Sequence, residues 1–373
     1  MSNLLSIQAL SNTLNLTDLT NARHESHAMQ RLIQDIHTAL AHLWKCNRQL
    51  ARSSPVVAVE NNYDRLGYPP DGAARDARYT RYVTERLILR TQTSAAVPDI
   101  LDGLSVDPPR DLLVVLPGLV YRRDSIDRLH CGEPHQLDLW RIVDRRKGPS
   151  MSKDDLQQMI AIVLQTALPG MSWRTQKSPH PYTEQGVQID ALWHKEWVEV
   201  GECGLASREI LDNAGLINHT GLAMGLGLDR LLMIRKNIPD IRLLRSQDPR
   251  IRLQMNDLQP YRPVSAMPAI RRDLSLCVER SVSEEEIGDI IRSQLPEVDC
   301  VEELVVKSQT LYEDLPSSAH SRMGMKPSQK NILLQVSIRH MERTLTDEEA
   351  NAVRNKIYML LHQGEKHELA TNV

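Results

Sequence analysis

The segment that most restricts how this chain can fold is a hairpin between residues 112 and 141. An apolar run from Leu112 to Leu116 is closed by the turn signal Pro117-Gly118, and after a long polar stretch an alternating segment returns through Trp140 and Arg141. Side chains alternate faces along a strand, so His135, Leu137 and Leu139 share one side, while Gln136, Asp138 and Trp140 share the other. One face is therefore largely polar. Arg122, projecting from the outgoing arm, is suited to phosphate or carboxylate through its planar fork of donors. Taken alone, these residues equally permit a surface hairpin with ion pairs among Arg122, Arg123, Asp124 and Asp127.

Composition narrows the function classes. With 373 residues there is room for two cored domains, and a formal charge of -3 exerts no global pull toward nucleic acid or membrane. Any RNA contact must be local. Five cysteines without a CxxC spacing argue against disulfides and a zinc knuckle, and so for a reducing compartment. No apolar run is long enough to span a bilayer, and no basic leader precedes Arg23. A cytoplasmic location is expected, with the mitochondrial matrix as the alternative for a processed form. Phe is absent.

Along the chain, Met29, Leu32, Ile33, Ile36, Leu40 and Leu43 recur at helical spacing and predict a long amphipathic helix from His27. Ser53 to Arg86 is polar and turn-rich, and reads as a loop. A short strand ending at Arg90 is followed by Thr91, Thr93 and Ser94, hydroxyls that commonly cap a helix. Ser152 and Asp155 open another helix, and two alternating strands flank His194-Lys195-Glu196. In GLAMGLGLDRLLMIRK a dinucleotide fingerprint fails, because its third glycine would fall at Arg230. A glycine-rich strand followed by a helix of about two turns fits better, with Arg230 on the first turn where the helix dipole favours anions. An ion pair with Asp229 or Asp240 is the alternative for that arginine. Beyond Pro260 and Pro263 the pattern is βαββαβ, with helices opened by Ser283/Glu286 and Thr346 and a last strand within LHQGEKHELA.

VYRRDSIDRLHCGEPHQLD resembles the second signature motif of class II aminoacyl-tRNA synthetases, specifically of phenylalanyl-tRNA synthetases, matching at Val120, Tyr121, Arg122, Asp124, Ile126, Asp127, His130, His135 and Gln136. GLGLDR resembles the third motif. MPAIRRDLSL and RHMERTLT resemble the anticodon-binding domain of the single-chain, mitochondrial type. The resemblance implies an α+β chain: an antiparallel class II sheet flanked by helices over 1–247, a linker over 248–264 and a ferredoxin-like βαββαβ domain over 265–373.

It also implies a monomeric ligase using ATP and Mg²⁺ to form an aminoacyl adenylate and charge tRNA, most specifically phenylalanine on its tRNA. The alternatives are a paralogue serving another amino acid and a non-tRNA acceptor, or a non-catalytic sensor. ATP would meet Arg122 at the α-phosphate and Arg230 at the γ-phosphate, with Asp124, His130, Glu133 and Pro134 around the nucleotide and Glu199 as metal or ribose ligand. The amino acid would meet Ser94, Gln136 and Asp138 at its ammonium, with Gln92 where relatives carry His. Its ring would meet His180 and Tyr182, above Ala223. Acidic residues outnumber basic ones after Ser265, so tRNA contact would rest on a few cations: Lys326, Lys330, Arg339 and Arg343. At each family Phe position that can be placed another residue stands: Pro134, His180, Tyr182, Met224 and Leu244.

Overall fold

The computed structural model describes residues 4–23, 25–148, 150–264, 268–341 and 343–367. The chain forms two compact units, one of Met1–Arg122, Glu133–Ile238 and Leu253–Tyr261, the other of Arg123–Gly132, Pro239–Arg252 and Arg262–Val373. The hairpin loop thus groups with the second unit, and residues of the expected linker are divided between the two. The expected domain start, Ser265 to Met267, lies outside the described residues.

In the first unit, α1 (Ile7–Leu14) precedes α2 (Ala28–Trp44), whose buried Met29, Leu32, Ile33, Ile36 and Leu40 follow the predicted spacing. The His27 ring accepts from Met29 N at 3.2 Å and caps it. Next comes β1 (Asn47–Leu50). The stretch expected to be a loop instead holds β2 (Val56–Ala58) and α3 (Val59–Asn62), with Tyr63, Leu66, Thr80 and Arg81 buried. Its polar groups bond inward, Tyr63 Oη reaching Ala74 O at 2.7 Å, which lets a polar sequence pack. β3 (Leu87–Leu89) pairs with β2. α4 (Val97–Val106) starts at Ala96 without a side-chain cap, so Thr91, Thr93 and Ser94 do not serve that purpose.

The hairpin is β4 (Asp111–Leu119) and β5 (His135–Asp144). After α5 (Lys153–Ala167), opened by the Ser152/Asp155 capping box, come β6 (Trp173–Lys177), β7 (Thr183–Trp193) and β8 (Glu196–Ala206). The β7–β8 turn places His194 at φ 48° and Lys195 at φ 70°, the two left-handed residues that a two-residue hairpin turn requires. α6 (Arg208–Asn213), β9 (His219–Gly227) and α7 (Leu228–Lys236) follow, and α8 (Pro249–Gln254) falls across the boundary of the two units, most of it in the second. The sheet order is β1-β4-β5-β9-β8-β7-β6, antiparallel except for β1 with β4. Helices α2, α5 and α7 pack together against it.

The second unit has β10 (Ile270–Glu279), α9 (Glu284–Gln294), β11 (Val301–Leu311), α10 (Ser317–Met323), β12 (Gln329–Ile338) and α11 (Asp347–Leu361). Its antiparallel order β10-β12-β11 is ferredoxin-like, and both capping boxes form. The expected last strand is not formed over 362–367, where a single backbone bond, Gln363 N to Cys277 O at 2.7 Å, follows the β10 edge. Glu368 to Ala370 lie outside the described residues. Ile126 joins the core of Leu276, Ile287, Ile291, Val336 and Ile357. Its loop is held by Arg123 to Asp289, Arg292 to Asp124 O and Leu304 N to Ile126 O. The mutual ion pairs considered for Arg122, Arg123, Asp124 and Asp127 are not formed.

Candidate active site

Strand alternation separates two chemistries on β5. On one face His135 is fully buried between Asp229 Oδ1, 3.1 Å from Nδ1, and Leu19 N, which donates to Nε2 at 3.1 Å. The ring is thus held at both nitrogens. His135 therefore anchors α7 to β5. On the other face are Gln136, Asp138 and Trp140. Gln136 Oε1 accepts from Thr93 N at 3.2 Å. Asp138 is 2 % exposed and hydrogen-bonded by Ser94, yet its Oδ2 has no partner. Burial raises its pKa to about 7, against the pull of Ser94, Arg122 and Arg90. Gly225 on β9 makes room for it: a Cβ there would lie 3.0 Å from Asp138 Oδ1.

A ring cluster adjoins this carboxylate. Tyr182 stacks on Trp140 with centroids 6.0 Å apart, and lies 6.4 Å from Tyr68 and 6.1 Å from His180. Its hydroxyl bonds to Ser94, and burial drives its pKa well up. Ala223, fully buried, belongs to the same cluster as Trp140 and Tyr182. His180 Nε2 meets Glu202 Oε2 at 2.5 Å, which raises the His180 pKa, with a further contribution from the Ser178 backbone. Thr93 Oγ1 and Thr183 Oγ1 are buried and unpartnered. Gln92 is committed on both sides, donating to Asn62 O at 2.9 Å and accepting from Tyr68 Oη at 3.2 Å. It positions Tyr68.

The phosphate candidates converge on β8. Arg230 donates to Glu199 O at 3.1 Å, whereas Asp229 and Asp240 are taken by His135 and Arg242. Arg122 Nε donates to Thr91 O at 2.9 Å, and both arginines act on the Glu199 carboxyl. Glu199 has its pKa raised first by desolvation and then by Glu202. These two acids are three apart in sequence and would face opposite ways on a regular strand. A bulge at Val200, where the partner register steps from Ile189–Gly201 to Asp190–Glu199, turns them to one side. Among the described residues no group of three or more His, Cys, Asp or Glu is placed to hold a metal. A carboxylate pair nevertheless fits a hard divalent ion that takes its other ligands from phosphate and water.

Other candidates separate. Glu133 is bound by buried Arg81, which also donates to Arg122 O. Asp124 and His130 lie in the second unit, where His130 Nδ1 is 2.6 Å from Asp127 Oδ2. Pro134 returns the chain to β5, its carbonyl accepting from Val120 N at 2.9 Å. Of the RNA candidates, Lys326 pairs with Glu365 at 3.3 Å, Arg343 with Glu349 at 2.7 Å and Arg339 with Glu302. Lys330 is a correction: it is 9 % exposed with Nζ on Val282 O at 2.8 Å, so it holds the fold together rather than presenting charge. Sequence reasoning missed Tyr68, Glu202, Arg81 and Arg90 as site-forming residues. Trp140 was visible on the Asp138 face by alternation alone.

The family tRNA synthetases class II core domain (F) matches residues 13–255, and the ferredoxin-fold anticodon binding domain matches 265–369. The chain is 28 % identical over 315 residues to the chloroplastic/mitochondrial phenylalanine--tRNA ligase of Arabidopsis thaliana, covering 82 % of this chain and 68 % of that protein. It is 27 % identical over 359 residues to a probable mitochondrial phenylalanine--tRNA ligase of Drosophila melanogaster, covering 82 % and 75 %. To the mitochondrial phenylalanine--tRNA ligase of Mus musculus it is 28 % identical over 341 residues, covering 81 % and 71 %. With a polar β5 face, a Gly-rich β9 and an arginine on the first turn of α7 joined to these matches, the chain belongs to the class II tRNA synthetase family.

Proposed function

We propose that the chain is an ATP-dependent phenylalanine--tRNA ligase. The observation that carries this reading is Asp138, a buried carboxylate with one oxygen unpartnered, beside Ser94 and against a ring cluster. An ammonium supplies the missing partner, and the rings supply the surface for an aromatic side chain. Gln136 assists at the ammonium, and His180, Tyr182 and Ala223 bound the ring. In the first step a carboxylate oxygen of the amino acid attacks the α-phosphorus of ATP, and pyrophosphate leaves. In the second a terminal ribose hydroxyl of tRNA attacks the adenylate carbonyl, and AMP leaves.

No protein nucleophile is needed, so rate comes from positioning and charge neutralisation. Arg122 meets the α-phosphate and Arg230 the γ-phosphate. Glu133 and Pro134 are assigned to the nucleotide. Glu199, with Glu202 beside it, would hold Mg²⁺, which when bound neutralises phosphate charge. The carboxy-terminal domain takes the tRNA through Lys326, Arg339 and Arg343. A monomer in a reducing, cytoplasmic setting completes the proposal. Pyrophosphate exchange across the amino acids tests it: exchange is expected with phenylalanine and lost in Arg230→Ala. Undiminished exchange in that variant, or exchange only with another amino acid, overturns it.

A further inference from the structure

This chain has no Phe in 373 residues, yet nine Tyr, five Trp and thirteen Met. Rings and large apolar side chains are kept as classes while one member is missing, whereas ordinary chains of this length use every common apolar type. The places that suit a phenyl ring are occupied by side chains that fit them less simply. Tyr182 is 8 % exposed and its hydroxyl depends on Ser94; His180 carries two polar ring nitrogens and depends on Glu202. A phenyl ring at either position has no polar atom to satisfy. Met224, on β9 between Leu139 and Cys203, and Leu244 in the second unit are nearly fully buried apolar sites where Phe is at home. A changed substrate accounts for residues 180 and 182 but gives no reason for Leu244, or for a second-unit core built without a single Phe.

We infer that the absence of Phe is a supply device: synthesis of this chain does not draw on the phenylalanyl-tRNA that the chain makes. The inference rests on the function proposed above and concerns its regulation. In a ligase that contains Phe, a shortage of charged tRNA slows synthesis of the enzyme that corrects it, so the shortage deepens. A stretch of 373 codons without Phe breaks that loop, because every one of them is read by another tRNA.

The test uses cells that depend on this chain as their sole phenylalanine ligase, starved of phenylalanine and then resupplied, with chain synthesis and the charged fraction of the tRNA followed. The comparison variant carries Leu14→Phe, Leu50→Phe, Leu253→Phe and Leu311→Phe, at surface positions 41, 58, 73 and 40 % exposed and outside the site. The same four leucines changed to Met control for the surface changes themselves. The natural chain and the Met variant are expected to be synthesised through starvation and to recover charging promptly. The Phe variant, of equal activity once purified, is expected to stop being made and to recover late. Equal recovery by all three overturns the inference. Failure of the phenylalanine reading looks different: none of the chains sustains the cells, and the purified natural protein shows no exchange with phenylalanine, which removes both proposals.

Discussion

Around the ring cluster of the first unit, Thr93 Oγ1, Asp138 Oδ2 and Thr183 Oγ1 are buried without partners. In the second unit, the cations nominated for RNA are already matched: Lys326 with Glu365, Arg339 with Glu302 and Arg343 with Glu349. Arg272 with Asp347 and Arg280 with Glu313 repeat the pattern. Unsatisfied buried groups destabilise a fold unless a ligand completes them, which is the part proposed here for the ammonium and ring of the amino acid. A matched surface behaves differently. It binds RNA by exchanging partners, so each contact is worth the small difference between two ion pairs.

The largest effect that could break this comparison lies at the phosphate end. Arg230→Ala is expected to lower the exchange rate by about 100- to 1000-fold, the scale of removing one transition-state donor. A small loss measured in that assay would mean that Arg230 only braces β8.

Asp138 sets the pH dependence. Its pKa is raised to about 7 by burial, so below pH 7 its carboxyl is increasingly protonated and an ammonium ligand must expel the proton. Amino-acid affinity is expected to fall by about tenfold per pH unit below 7, and Asp138→Asn to bind weakly at every pH with no such slope. For stability the sign is opposite. The folded state holds this proton more tightly than the unfolded chain does, so the unliganded protein loses stability as pH rises from the ordinary carboxylate range through about 7. Asp138→Asn should remove that loss, which melting curves at pH 5 and pH 8 measure.

Lys330 and Lys326 give a paired test in the second unit. Lys330→Met leaves Val282 O without its donor and is expected to cost about 1–3 kcal/mol of stability, with RNA affinity unchanged. Lys326→Ala should leave stability alone and flatten the salt dependence of tRNA binding by about one unit of slope. If the two variants exchange these phenotypes, the division between structural and presented charge fails. The smallest effect belongs to Tyr182→Phe, which keeps the stack on Trp140 and removes only the hydroxyl bonded to Ser94. A loss of about 1 kcal/mol in amino-acid binding is expected, seen in KM rather than kcat.

What the sequence by itself determined is whatever depends on local period and local chemistry. The α2 stripe, the three capping boxes, the His194-Lys195 turn and the two faces of β5 follow from spacing, because side-chain direction repeats every 3.6 or 2 residues and caps act within one turn. Arg122 and Arg230 were therefore legible as anion-binding candidates, whereas the roles of Ser94 and Asp138 came from the family resemblance. What only the tertiary structure decided is where period breaks or where partners come from far along the chain. The Val200 bulge brings Glu199 beside Glu202 against the strand's own alternation. Thr91, Thr93 and Ser94 carry capping chemistry, yet Ser94 serves Asp138 and Tyr182, from positions far along the chain, because α4 begins without them. Lys330 looked like surface charge until β12 paired with β10 and brought its ammonium to Val282 O. Burial and long-range pairing belong to the folded ensemble of contacts, and a linear pattern carries no record of which distant carbonyl or carboxylate will arrive.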